Sequence, residues 1–155
     1  MNTAYHEAAH AVADFHFGVA IKEVSIIPDE DSLGHVKSGK LPKGMEFGNV
    51  PRSRIEKEII CLLVGPAMDE LLGDDDVRGQ GDYQSAVKLA FYVTGSNEEA
   101  EAYLNWLWIR AKNFVRCPPH RVCIEALAQV LLKERRLSGR KARQIIREAL
   151  MPSPS

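Results

Sequence analysis

The chain has 155 residues, enough for one domain with a buried core. Hydrophobic residues make up 45% and charged ones 26%, which excludes a disordered or fibrous chain and fits a globular one. Lys plus Arg is 20 against 21 for Asp plus Glu, so nucleic-acid binding is not expected. No apolar run approaches the roughly 18 to 20 residues of a membrane span.

The first predicted helix runs from Thr3 to about Phe17, with Gly18 just past its end. Val24-Ser25-Ile26-Ile27 reads as a short β-branched strand closed by Pro28. Asp29 to Ser32 makes a turn, and His35 to Ser38 is placed to pair back as a second strand. Ser38 to Arg52 has Gly, Pro and Lys without periodicity and reads as a loop. A second helix starts near Pro51 and Ser53, carries Ile55, Ile59, Leu62 and Leu63 on one face, and reaches Leu72. Pro66 inside it should kink or split it.

Further helices are expected over Asp82–Thr94, Asn97–Arg116, Pro119–Glu134 and from Ser138 onward, with Ser138 as an N-cap. Trp106 and Trp108, two apart on one helix, cannot both face the core. The three cysteines do not read as a disulfide framework, and Cys61 and Cys123 read as small core residues. The expected fold class is mainly α (α+β), with a small β-hairpin or sheet over the first helix. It forms one domain over residues 1–150, and 151–155 make a flexible tail. No signal peptide is recognised, so the expected location is cytoplasmic.

The chemistry is concentrated in the first helix, where His6-Glu7-Ala8-Ala9-His10 is an HExxH string. Residues four apart share a helix face, so the two imidazoles can grip one Zn²⁺. Glu7, offset along the helix, can act as general base on a water bound to that metal.

A third ligand is needed, and two residues compete. His16 completes a longer histidine spacing, but Ala13 stands where that pattern needs a turning glycine. If the helix continues to Phe17, His16 points away from the metal face. Asp82, in Gly79-Gln80-Gly81-Asp82-Tyr83, is the other candidate. It also stands where an aspartate would cap a helix.

Several strings together resemble the peptidase domain of FtsH-type ATP-dependent zinc proteases. They are Ala4 to Val12, Val24 to Pro28 followed by Leu33-Gly34, Gly65 to Leu71, Gly79 to Ala86, and the run from Ala126 to Gly139. The resemblance implies His6, His10 and Asp82 as zinc ligands and Glu7 as general base. It also implies that Asp69 or Glu70 accepts from the outer N–H of a ligand histidine. The strand Val24, Ser25, Ile26 and Ile27 would bind substrate backbone as an unpaired edge.

The implied activity is zinc-dependent hydrolysis of peptide bonds in peptides or unfolded protein segments, with self-association possible as in that family's rings. Ala9 and Pro66 depart from the family pattern, and the segment after Thr94 is shorter. The chain holds no G-x-x-x-x-G-K-[ST] phosphate loop, so cleavage by it alone would be ATP-independent. A catalytically silent adaptor retaining the scaffold is the competing expectation.

Overall fold

The computed structural model describes residues 2–28, 34–38 and 50–152, with the backbone alone described at 35–38. The turn expected at Asp29–Ser32, most of the loop expected over Ser38–Arg52 and the last three residues of the expected tail lie outside the described residues.

Among the described residues the chain is mainly helical with a small antiparallel sheet. The order is α1 (Thr3–His16), β1 (Ile21–Ser25), β2 (His35–Ser38), α2 (Arg52–Leu71), α3 (Gly81–Val93), α4 (Asn97–Arg116), α5 (Pro118–Glu134), β3 (Arg136–Ser138) and α6 (Gly139–Leu150). Local signals explain most boundaries. Asn2, Ser96 and Ser138 each accept a backbone N–H two or three residues into the helix that follows. Gly18, at φ +74°, takes the left-handed conformation that ends α1. α4 places Glu98 and Glu99 in its first turn and Arg116 in its last, as the helix dipole favours.

α2 is the central helix, packed against α1, α3 and α4, while α1 also packs against α5 and the sheet. Every residue from Ile59 to Asp69 is buried. That burial explains why Pro66 does not split α2 as its sequence position suggested. The missing backbone donor removes one helical hydrogen bond, and contacts on all sides keep the segment helical. The two tryptophans divide as expected: Trp108 is buried and Trp106 is exposed. Cys61 and Cys123 are buried.

The sheet order is β2-β1-β3, with both pairings antiparallel. Val24 faces Val36 on one side and Leu137 on the other. This corrects the expectation of an unpaired edge at Val24 to Ile27. β1 ends at Ser25 and is the middle strand, so its backbone groups are taken from both sides. Val24 and Ser25 are fully buried. Beyond the strand, the Ile26 amide donates to the Arg135 carbonyl and the Ile27 amide to Ser25 Oγ. β3, which the sequence reading lacked, follows Arg135, a non-glycine residue held at φ +67° at the end of α5. Among the described residues, no helix is long and apolar enough to cross a membrane.

Candidate metal centre

α1 lies almost entirely inside the protein. Its HExxH string places His6, Glu7 and His10 at 6%, 6% and 3% exposure, so charged or polar groups here need partners. The partners come from one stripe of α2. Cys61, Gly65 and Asp69 recur every four residues and face the two imidazoles.

Each histidine is fixed by its outer nitrogen. His10 Nδ1 donates to the Cys61 carbonyl at 2.7 Å, and a carbonyl can only accept. His6 Nδ1 donates to Asp69 Oδ2 at 2.6 Å. Both Nε2 atoms therefore turn inward, 3.1 Å apart. Asp82 Oδ2, from the first turn of α3, completes a triangle at 3.0 Å from His6 Nε2 and 2.9 Å from His10 Nε2.

That triangle fits a divalent ion. Tetrahedral zinc with bonds of about 2.0–2.1 Å separates its ligand atoms by about 3.3 Å, a few tenths more than the spacings here. Gly65 leaves the room. A Cβ built on it would lie 2.3 Å from His10 Nε2 and 2.7 Å from His6 Nε2, closer than real contacts allow.

The electrostatics agree with the geometry. Burial alone would lower the pKa of His6. Hydrogen bonds to Asp69 and Asp82, with the charges of Asp69 and Glu7, outweigh that and raise it to about 10. Burial would likewise push the Asp82 carboxyl up, but the charge and hydrogen bonds of His10 and His6 hold it well below the usual carboxylate range. The centre is thus built to hold positive charge, and a proton on His6 must leave before a metal can take its place.

The remaining expected residues separate clearly. Asp82 is not the cap of α3. The helix starts at Gly81 with Gln80 at the N-cap position, which leaves the Asp82 carboxylate to reach the imidazoles. Asp69 and Glu70 do not share the role expected of either one. A helix turns about 100° per residue, so Asp69 meets His6 while Glu70 faces solvent. His16 ends α1 and turns away from the centre, as expected of a continuing helix. Its ring lies 5.1 Å from that of His120 and 5.4 Å from that of Phe114. Burial and the neighbouring His120 lower its pKa. Glu7 packs beneath Gly34, where a Cβ would meet its Cγ at 3.2 Å and the Ser25 carbonyl at 2.8 Å.

The sequence reading did not single out Gln80. Its Nε2 donates to Asp69 Oδ2 at 2.9 Å, the same oxygen that accepts from His6. Nothing in a lone glutamine before a helix signals such a role.

No protein-family model matches the chain. It is similar to the ATP-dependent zinc metalloprotease FtsH of Thermus thermophilus. The two are 34% identical over 92 residues, which cover 57% of this chain and 14% of that relative. The likeness thus reaches a small part of a much longer protein.

Proposed function

We propose that this chain is a zinc metallopeptidase of the HExxH type, which hydrolyses peptide bonds in peptides or unfolded segments without ATP. The observation that carries the reading is the convergence of His6 Nε2, His10 Nε2 and Asp82 Oδ2 within 3.1 Å of one another, with both outer nitrogens occupied. The similarity to a protein named as a zinc metalloprotease supports the same chemistry.

His6, His10 and Asp82 would hold the ion. Zinc held there would supply Lewis acidity for attack of water on a carbonyl. Glu7 takes the proton of the attacking water and delivers it to the departing amine, so that its carboxylate is regenerated. Its burial beside His6 keeps that proton from bulk solvent. Asp69 and the Cys61 carbonyl keep the Nε2 lone pairs aimed inward throughout.

The substrate strand would add to the sheet at β2 rather than at β1. β2 is an outer strand among the described residues, and Gly34 at its start lies directly over Glu7.

The test is Glu7→Gln, measured for bound zinc and for cleavage of an unfolded protein such as casein. Zinc should stay at one ion per chain while cleavage falls at least a hundredfold. Equal cleavage by both proteins would remove Glu7 from the mechanism. A wild-type chain that keeps its zinc yet cuts nothing would mark it as an adaptor.

A further inference from the structure

The metal ligands come from two elements held in very different ways. His6 and His10 ride on a buried helix, whereas Asp82 sits at the start of α3, with its side chain 35% exposed. Only Tyr83, Ala86 and Ala90 of α3 are buried. Something must fix the first turn of α3 against α2 if Asp82 is to meet two imidazoles on α1.

The geometry points to Gln80 as the positioning residue that joins the two halves of this centre. Its amide donates to the Val77 carbonyl and its own carbonyl accepts from the Gln84 amide, so it is the hinge between the preceding loop and α3. Its side chain spans to α2, where Nε2 meets Asp69 Oδ2. Asp69 is thereby pinned by two donors from two different elements, His6 of α1 and Gln80 of α3. The other carboxylate oxygen, Oδ1, is buried without a hydrogen-bond partner, so the orientation of Asp69 depends on the shared oxygen. Gln80 also forgoes the usual task of its position. Asn2, Ser96 and Ser138 cap their own helices with their side chains, whereas Pro51, Gln80 and Cys117 do not, and of these three Gln80 carries an amide that reaches α2. The N-cap of α3 serves the ligand set instead of the helix.

This inference rests on the reading that His6, His10 and Asp82 hold a divalent ion, and the experiment keeps the two apart. Gln80→Ser supplies a better helix cap but cannot reach Asp69. Zinc affinity is read by competition with a chromogenic chelator, and the melting temperature of the metal-free protein is read alongside. A positioning role gives a loss of zinc affinity of about 10- to 100-fold, with the metal-free melting temperature unchanged or raised. If Gln80 only fastens the loop, Gln80→Ser binds zinc as tightly as the wild type, and the inference is overturned. Gln80→Ala, which neither caps nor reaches, serves should the serine variant not fold. It too must lose zinc affinity beyond any change in melting. A wild-type chain that binds no zinc at all overturns the metal reading itself, and that is seen before any variant is made.

Discussion

α1 and α3 both contribute to the candidate metal centre, but they are anchored by different means. Ten of the 14 residues of α1 are buried, His6 and His10 among them, and its neighbours α2 and α5 pack along it. α3 buries three of its 13 residues, Tyr83, Ala86 and Ala90, and packs on α2 and α4 by that one face, with Val87, Leu89 and Val93 partly buried beside them. One half of the centre sits inside a helix buried along most of its length, and the other at the first turn of a helix that packs by one face and is linked there through Gln80. The paired imidazoles should therefore exist whether or not metal is present. The aspartate, held by the rings and by the turn that Gln80 fastens, should be the more easily displaced of the two when metal is absent.

The largest effect expected from breaking this arrangement is at Gly65, on the well-packed side. Helix propensity alone favours alanine over glycine by about 1 kcal/mol. Here the added carbon would strike two imidazole nitrogens that Asp69 and the Cys61 carbonyl hold in place. Gly65→Ala should abolish stoichiometric zinc binding and cost about 1–3 kcal/mol in denaturant unfolding, the usual penalty of overpacking. A variant that binds zinc normally would mean the rings can move aside, and the packed half would then be no more rigid than the other.

A sharper contrast sets Asp69→Ala against Asp82→Ala. Both should lower zinc affinity, the first by about 10- to 100-fold through loss of ring orientation. Stability should separate them. Asp69 is buried, and its removal leaves His6 Nδ1 and Gln80 Nε2 without their acceptor, costing about 1–3 kcal/mol. Asp82 accepts from the same buried rings, but its side chain is partly open to solvent and water can take its place, so its removal should cost less than that of Asp69 in the metal-free protein. Equal unfolding free energies for the two variants would erase the distinction between the halves.

The same division governs what could be read from the sequence. Helices with a strong apolar stripe were legible almost to the residue, as in α4, where Ala100, Leu104, Leu107, Ala111 and Phe114 recur on one face and all are buried. That His6 and His10 share a helix face was legible because it needs only the pitch of the helix. Asp69 was half legible. The buried series Ile55, Ile59, Leu62 and Pro66 leaves Asp69 and Glu70 about 50° to either side of its centre, so only the position of α1 decides between them. Asp82 could not be decided from the residues, because a shift of two positions in the start of α3 decides whether it caps that helix or reaches the imidazoles. The resemblance favoured the second arrangement, and Asp82 Oδ2 does lie beside both rings. Strand neighbours were beyond reach for a related reason. Val24 to Ile27 looks the same whether it lies at an edge or in the middle. Its partner β3 is three residues long, with only Leu137 buried.

The finest test of the comparison is hydrogen exchange with and without metal. Local opening costs least where few apolar contacts must break, so amides near the start of α3 should exchange faster than those of α1 in metal-free protein. Bound zinc stabilises whichever conformation brings Asp82 to the histidines, by an amount set by its concentration over its dissociation constant. The gain should appear mainly at α3, because α1 is already held by packing. Zinc at a hundredfold excess over its dissociation constant should slow the exchange of Gln84 and Ser85 by up to about 100-fold, while Ala9 and Ala11 change little. Gln84 is the sensitive reporter, since its amide donates to the carbonyl of Gln80 and opens when the first turn of α3 opens. Uniform protection of both helices would mean that the ion stabilises the whole fold as one unit, and that α3 is no looser than the helix it completes.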